Sequence, residues 1–220
     1  MLRSISLLII AAATSSAGAQ QASPGLAGTL DGNVYTSPTG TFKMEAPVLP
    51  ALGGVVRDTD RVVTFRDSYG VQISVGAFPH DATQRWELST RGTKDYLIYF
   101  LTSFVIQDFK RYFPGTTVES AGFSVDLMDG SLFAYILLPG GSMFDAPPAF
   151  GQPAKPAVAK RGNMLFVKNG VTFVISTELS ERVTEGSSWK TTAEEEDRIL
   201  RNRLVEITRK IQFTKPAPGK

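Results

Sequence analysis

Apolar and polar residues alternate in four paired segments of the chain, with the two-residue period of half-buried β-strands. The pairs lie at residues 33–47, 55–79, 116–138 and 164–179, and a turn-forming stretch with glycine separates the two runs of each pair. In the last pair this turn is Asn169-Gly170, the dipeptide that hairpins with two-residue loops favour most. The pattern therefore predicts four β-hairpins.

Two other segments repeat apolar residues every three or four positions, as amphipathic helices do. The first covers about residues 93–113, with Thr93 as its predicted cap and Pro114-Gly115 after its end. Because its apolar face is broad, we expect this helix to be largely covered. The second covers about residues 191–210 and begins with the capping box Thr192-Ala-Glu-Glu195.

The elements follow the order hairpin, hairpin, helix, hairpin, long loop, hairpin, helix. Hairpins pair antiparallel strands, and helices cover the faces of the sheet that such pairs build. The predicted fold class is therefore α+β, an α/β/α sandwich in which two main helices flank an antiparallel sheet built from hairpins. We assign a single domain to residues 33–213, with a flexible leader at 20–32 and a tail at 214–220.

The first nineteen residues have the pattern of a secretory signal peptide. Arg3 precedes a short apolar run at residues 5–13, and Ala17-Gly18-Ala19 fits the rule for the cleavage site. The apolar run is too short to cross a bilayer as a helix. We therefore expect an exported chain, periplasmic or secreted, that has no membrane span after cleavage of residues 1–19.

Composition removes several classes of function. The 220 residues contain no cysteine and one histidine, and their formal net charge is +2. Thiolate chemistry, iron–sulfur clusters and sites that need two histidines are excluded. No basic run marks a nucleic-acid surface, and the P-loop, dinucleotide and hydrolase motifs are absent. We expect no cofactor and no nucleic-acid partner, and export without cysteine fits a bacterial periplasm.

Two groups of ionisable residues are candidate sites, and each has a simpler alternative. His80 directly precedes Asp81, so the pair has the residue types of a general base and its orienting carboxylate; the alternative is a solvated loop histidine. The acidic run 194–197 offers oxygen ligands for a hard cation; the alternative is a solvated first helical turn that complements the helix dipole. We favour the simpler alternatives and predict no catalytic residue and no metal site.

Charged residues of alternating sign follow the second hairpin from Arg57 to Asp67. Such residues either line a polar cleft or form the solvated face of a sheet with cross-strand pairs. We favour the solvated face, since it requires no further partner.

The segment 139–160 departs from these patterns and contains five of the thirteen prolines of the chain. Structureless connections of this length are uncommon in compact domains, except as binding loops, lids or linkers. Its apolar residues Met143, Phe144 and Phe150 are the candidate binding residues. They either present a recognition arm to a protein partner or fold back onto the sheet as a local cover, and the sequence leaves both open.

Three segments resemble the Mog1/PsbP-like proteins, which are α/β/α sandwiches. Residues 35–47 are similar to the opening hairpin of that group, with an aromatic residue, a glycine turn and a Phe-x-apolar run that ends at proline. Residues 63–75 resemble its second hairpin, and residues 208–213 resemble its closing helix end and last short strand. The resemblance implies no functional residue, and segment 139–160 departs from the group.

The group includes photosystem II accessory subunits, a nuclear-transport regulator and secreted bacterial proteins, so the resemblance implies a noncatalytic binding or assembly module. We therefore expect an exported domain of the bacterial cell envelope that binds a protein or a ligand. One alternative is a periplasmic enzyme with a carboxylate or tyrosine site. Another is an envelope-associated structural protein held by the apolar helix at 93–113.

Overall fold

The computed structural model describes residues 25–140 and 158–215. Within these residues the strands are, in chain order, β1 (Thr29–Asp31), β2 (Val34–Thr36), β3 (Phe42–Glu45), β4 (Val55–Asp58), β5 (Val62–Arg66), β6 (Gln72–Pro79), β7 (Thr117–Ser124), β8 (Ser131–Pro139), β9 (Val158–Lys168), β10 (Val171–Glu178) and β11 (Ile211–Phe213). The α-helices are α1 (Ala82–Phe100), α2 (Ile106–Tyr112), α3 (Ser180–Thr184) and α4 (Ala193–Arg209). A π-helical turn (Leu101–Val105) joins α1 to α2.

The described strands form two antiparallel sheets. The smaller sheet has the order β1-β2-β3-β11, and the larger has the order β4-β5-β6-β10-β9-β8-β7. The four predicted hairpins are confirmed as the pairs β2–β3, β5–β6, β7–β8 and β9–β10. Asn169 and Gly170 have φ angles of 55° and 73°, in the left-handed region that a two-residue hairpin turn of type I′ requires. The first hairpin does not extend the larger sheet, because β3 pairs with β11 instead.

The beginning of the described chain is held by the larger sheet. The Asp58 carboxylate accepts hydrogen bonds from the backbone N–H of Ala27 at 2.8 Å and of Gly28 at 2.7 Å, and from the Tyr35 hydroxyl at 2.7 Å. Thr29–Asp31 then pairs with β2. This part of the predicted flexible leader is thus built into the fold, through partners that its composition did not indicate.

Two apolar cores lie on opposite faces of the larger sheet. One core packs against α1 and α2, and the other packs against α4 and the smaller sheet. Alternation along β10 shows the division, because Phe173 and Ile175 belong to the α4 core and Val174 belongs to the α1 core. These layers confirm the α+β sandwich, with a small sheet added beside α4.

The first helix differs from its prediction in the residue at which it begins and in how much of its apolar surface is buried. It begins at Ala82 and not at Thr93, because the Asp81 side chain accepts a hydrogen bond from the backbone N–H of Gln84 at 2.8 Å. Gly92, with φ 74° and ψ 167°, kinks the helix just before the predicted start.

The expectation that this helix is largely covered was wrong. Ile98, Phe104 and Tyr112 are 39%, 46% and 68% exposed, since the sheet covers only one side of the helix. Within the described residues, no helix combines the length and the apolar character that crossing a membrane requires.

Candidate functional site

A cavity of about 600 Å³ separates the first helical layer from the larger sheet, and we call it the helix–sheet cavity. Its floor consists of side chains on β4, β5, β6, β9 and β10, and its roof consists of side chains on α1, the π-helical turn and α2. The lining residues are Val55, Arg57, Val62, Thr64, Arg66, Ser74, Gly76, Phe78, Phe100, Ser103, Phe104, Val105, Gln107, Asp108, Phe109, Arg111, Arg161, Val174 and Ser176.

Small residues in the floor create this space. Ser74 and Gly76 of β6 and Ser176 of β10 are buried on the sheet face beneath the helix. A Cβ added at Gly76 would lie 2.7 Å from the ring of Phe78, so a larger residue would displace that ring. Because these residues have little or no side-chain volume, they do not fill the gap between the sheet and the helix above it, and a cavity remains.

Strand register arranges the floor in rows that cross the sheet. One row carries hydroxyl groups, on Thr64, Ser74 and Ser176. Two residues further along the strands, on the same face, the next row is apolar and consists of Val62, Gly76 and Val174. The floor therefore becomes less polar along the strand direction.

The opposite end of the floor is charged. Arg66 lies two residues beyond Thr64 on β5, and Glu178 lies two residues beyond Ser176 on β10. Arg161 of β9 is directly opposite Glu178 in the register. Charged, hydroxyl and apolar rows thus follow one another across the cavity floor.

The roof changes in the same direction as the floor. At the apolar end the ring of Phe100 contacts that of Phe78, with 5.3 Å between the centroids. At the charged end the ring of Phe109 lies 5.4 Å from the guanidinium carbon of Arg161, and Arg111 of α2 also lines the cavity. The roof and the β5, β6, β9 and β10 part of the floor therefore have an apolar end and a charged end. Strand β4 does not follow this order, because Val55 pairs with Arg66 and Arg57 pairs with Thr64.

The π-helical turn forms the middle of the roof through Ser103, Phe104 and Val105. A π-helical turn has hydrogen bonds between residues five apart and is frequent at functional sites. Phe104 is 46% exposed although it lines the cavity, so it lies where the cavity opens to solvent.

Arg161 is the most deeply buried charged residue among the described lining residues, with 3% of its surface exposed. It donates hydrogen bonds to Glu178 Oε1 at 2.9 Å and to Ser74 Oγ at 2.6 Å. Burial lowers the pKa of Arg161, and the neighbouring Glu178 carboxylate opposes this shift. Because the carboxylate pairs with it, the guanidinium remains a cation at the edge of the cavity.

The predicted binding residues Met143, Phe144 and Phe150 lie outside the described residues, so their role as a recognition arm or local cover stays a prediction.

The structure partly decides between the two interpretations of the alternating charges on the second hairpin. Arg57 and Arg66 line the cavity, as the cleft alternative has it, whereas Asp60 and Arg61 are exposed, as the solvated face has it. The sequence analysis did not locate this cavity. The pattern that could have indicated it is the alternation of small residues along β6 and β10.

His80 is not a solvated loop histidine, and that prediction was wrong. Its ring is half-buried, and Nε2 lies 2.7 Å from the Thr172 hydroxyl and 3.3 Å from the Tyr96 hydroxyl. Burial is the main cause that lowers the pKa of His80, and the charge of Arg85 adds to it. Because β10 lies beside β6 in the sheet, Thr172 comes next to His80 across 92 residues of sequence.

The His80 group does not have the geometry of a catalytic site. The Asp81 carboxylate caps α1 by accepting a hydrogen bond from the backbone N–H of Gln84, and its charge opposes the lowering of the His80 pKa. Thr172 and Tyr96 are each 0% exposed and hydrogen-bonded to each other at 2.8 Å. A substrate atom has no access to either hydroxyl, so the group acts as a buried polar network that stabilises the helix on the sheet.

The acidic run 194–197 is only partly solvated, which corrects the alternative that we favoured. Glu196 is 2% exposed, and Lys160, which is fully buried, lies between three carboxylates. Its Nζ is 2.5 Å from Glu119, 2.7 Å from Asp197 and 3.1 Å from Glu196. The ammonium group thus occupies the centre of this acidic cluster, which we call the Lys160 cluster. Among the described residues no group of histidine and carboxylate side chains is arranged to hold a metal ion.

Comparisons with known proteins give similarities of fold. No family model and no curated protein matches the sequence. A crystal structure from Bacteroides thetaiotaomicron is 11% identical with a TM-score of 0.38, over 84% of this chain and 49% of that chain. The chain therefore spans about half the length of the Bacteroides protein.

The solution structure of cyanobacterial PsbP from Synechocystis is 12% identical with a TM-score of 0.45, over 89% of this chain and 98% of that chain. It is a PsbP protein, from the group that the sequence resembles. Both similarities concern the fold alone.

Proposed function

We propose that the chain is a noncatalytic binding module that encloses a small, mainly apolar ligand in the helix–sheet cavity. The observation that carries the proposal is the cavity itself. Its volume of about 600 Å³ lies within the range of small-molecule sites, which typically combine an apolar lining with a few polar groups. The rows of the floor and the aromatic rings of the roof have this composition.

The ionisable groups of the cavity support binding and not catalysis. Among the described residues four arginines line it, and arginine keeps its proton at physiological pH, so these side chains orient anions but do not transfer protons. Asp108 is the carboxylate of the described lining; it is largely exposed, and its Oδ1 lies 3.4 Å from Arg111 Nη1. A general acid or base would need a group whose pKa lies near the working pH.

Titration with the fluorescent probe N-phenylnaphthylamine, which is neutral and apolar, tests this proposal. We expect saturable binding to the full chain and a reduction of affinity of more than about fivefold in Ser103→Phe, because the added ring takes up space in the cavity that Ser103 lines. The matched control is Thr102→Phe, in the same π-helical turn but outside the lining. Thermal unfolding of both variants shows whether they fold.

Absence of saturable binding to the unmodified chain would overturn the proposal. Equal weakening by Ser103→Phe and Thr102→Phe would show that the probe binds elsewhere.

We also propose that the module is exported to the bacterial cell envelope. The support is the signal-peptide pattern of residues 1–19. Expression in a Gram-negative host, followed by cell fractionation and N-terminal sequencing, is expected to give a periplasmic chain that begins at Gln20. Retention of residues 1–19 on a cytoplasmic chain would contradict export and would leave the ligand-binding proposal unaffected.

A further inference from the structure

We infer that the ligand of the helix–sheet cavity is a neutral, mainly apolar molecule with one hydroxyl group, and that this group lies on the floor row Thr64, Ser74 and Ser176. The inference rests on the proposed function, since it names the ligand class of the same cavity. It is carried by the hydrogen bonds that the three floor hydroxyls already make, because these bonds decide what each hydroxyl still offers to a ligand.

The Ser74 hydroxyl retains a hydrogen to donate. Its oxygen lies 2.6 Å from Arg161 Nη2, and because a guanidinium has donors and no acceptor, Ser74 is the acceptor in this bond. Among the described residues, no hydrogen bond donated by the Ser74 side chain is present. Ser74 is 7% exposed and lines the cavity. A buried donor without an acceptor is unfavourable, so a ligand oxygen at this point is stabilised.

The other two hydroxyls of the row have already donated their hydrogens. Thr64 donates to the carbonyl oxygen of Arg57 at 3.1 Å. Ser176 donates to Asn163 Oδ1 at 2.8 Å. The direction of this second bond is fixed, because Asn163 Nδ2 donates to the Ala134 carbonyl oxygen at 3.3 Å and Oδ1 is therefore the acceptor of the amide. The oxygens of Thr64 and Ser176 thus offer lone pairs to a ligand and no hydrogen.

One ligand oxygen can use a donor and an acceptor of this row together. The register places Ser74 between Thr64 and Ser176 on adjacent strands, which are about 4.8 Å apart. An oxygen above the gap between two strands is therefore within hydrogen-bond distance of both side-chain oxygens. It has to accept from Ser74 and donate to the neighbour, and a neutral hydroxyl group does both.

Charged groups and groups that only accept match this row less well. A carboxylate accepts but cannot donate, so it would face the lone pairs of Thr64 and Ser176. An ammonium group donates but cannot accept, so it would leave the Ser74 hydrogen unused. An ether oxygen would use Ser74 alone. The hydroxyl class is thus favoured by which hydrogens of the row are already used, and not by the net charge of the lining.

The next row of the floor suits the apolar part of such a molecule. Val62, Gly76 and Val174 follow the hydroxyl row on the same sheet face, and Gly76 has no side chain between the two valines. Above this row the ring of Phe100 contacts that of Phe78. A molecule with a hydroxyl at one end and a ring or chain beyond it therefore finds a matching surface for each part.

The experiment displaces N-phenylnaphthylamine from the full chain at pH 7 with 4-butyltoluene, 4-butylanisole and 4-butylphenol, which is neutral at this pH. The three share an apolar body and carry a methyl group, an acceptor, and a group that accepts and donates. Each affinity is divided by the partition coefficient of the compound from water into hexadecane, so that differences in hydrophobicity cancel. We expect the corrected affinity of 4-butylphenol to exceed that of 4-butylanisole about tenfold, and 4-butylanisole to exceed 4-butyltoluene about threefold.

The variant Ser74→Ala removes the donor of the row. It should lower the corrected affinities of 4-butylphenol and 4-butylanisole about threefold and leave that of 4-butyltoluene unchanged. The matched control is Ser131→Ala, which removes the hydroxyl of a buried serine on β8, in the same sheet but outside the described lining.

The double variant Thr64→Val/Ser176→Ala removes the acceptors of the row. It should reduce the preference for 4-butylphenol over 4-butylanisole about fivefold or more and change the affinity for 4-butylanisole little. The control Thr117→Val removes a hydroxyl at an exposed position on β7. Thermal unfolding shows whether the double variant folds. If it does not, the two single variants are measured, and at least one of them should reduce the preference.

The outcomes separate this inference from the proposed function. If the probe binds and the three corrected affinities are equal, or if 4-butylbenzoate displaces the probe better than 4-butylphenol, the ligand class is wrong and the cavity is still a binding site. Preferences that persist in the variants of Thr64, Ser74 and Ser176 would show that the hydroxyl group is not recognised by this row. If the probe does not bind, the proposed function itself is wrong.

Discussion

Lys160 and Arg161 are neighbours on β9, and because strand side chains alternate they enter opposite faces of the larger sheet. Both cations are buried, and both have carboxylate partners. On the α4 face, Lys160 lies 0% exposed within the Lys160 cluster and also donates a hydrogen bond to the Ala193 carbonyl at 3.1 Å. On the other face, Arg161 borders the helix–sheet cavity.

The two environments differ in whether space remains beside the charge. Burial alone lowers the pKa of Lys160, but hydrogen bonds to Asp197, Glu119 and Glu196 outweigh it and raise the pKa above its ordinary value. These contacts use the donors of the ammonium group within packed protein. Arg161 is also paired, but it lines the helix–sheet cavity, a volume that the described residues leave open. One buried cation is thus enclosed by packed protein, and the other borders the cavity that we propose as a binding site.

Among the variants that test this comparison, Lys160→Met should change the free energy of unfolding most. This change leaves three carboxylates close together with no cation, and loss of one partner of a buried ion pair costs about 3–5 kcal/mol. Urea unfolding at neutral pH measures the free energy of unfolding, with Lys43→Met on the exposed face of β3 as the control.

Lys160→Met should also leave the affinity for N-phenylnaphthylamine unchanged, provided the variant folds. A loss of stability no larger than that of Lys43→Met, or a loss of probe binding in a folded variant, would contradict the structural role of Lys160.

Arg161→Met should have the next largest effect, a loss of about 3 kcal/mol, since Glu178 then remains charged in a buried position. In the double variant Arg161→Met/Glu178→Met we expect more than half of this loss to be recovered, because removing a buried pair as a unit is often nearly neutral. Urea unfolding curves of the unmodified chain and of the two variants measure this recovery.

A double variant that remains as unstable as Arg161→Met would mean that the pair is needed for the fold.

The smallest effect concerns His80, which lies on the same sheet face as Arg161 but outside the cavity lining. Its pKa is lowered in the folded chain, mainly by burial, so the unfolded chain binds a proton more readily as the pH falls. Folding stability is therefore unaffected well above the ordinary pKa of histidine, about 6.5, and decreases as the pH falls below it. In His80→Gln this decrease between pH 8 and pH 5 should be smaller, because glutamine does not bind a proton in this range.

Three residues contact His80 and must be considered in interpreting its pH dependence. Arg85 donates a hydrogen bond to its carbonyl oxygen at 2.7 Å, and Thr172 and Tyr96 contact its ring. Urea unfolding of both chains at several pH values gives the difference. Identical pH profiles of the two chains would show that the charge of His80 is not coupled to folding.

Local patterns predicted the elements that depend on local interactions. The turn Asn169-Gly170 and the cap Thr192, whose hydroxyl accepts a hydrogen bond from the backbone N–H of Glu195 at 3.3 Å, were both identified in advance. The start of α1 was missed, because the signal of the Asp81 cap was weaker than that of the apolar run after Gly92. The Lys160 cluster was missed, because its members come from three separate elements.

The sequence by itself determined the antiparallel hairpins, the two main helices and the fold class, since turn chemistry and hydrophobic period act over a few residues. Tertiary structure alone decided which charges are buried and where space remains. Val62, Gly76 and Val174 form one row because β6 lies between β5 and β10 in the sheet, and no local pattern specifies that neighbourhood. A cavity is an absence of packing between distant segments, so it is determined only when all of them are in place.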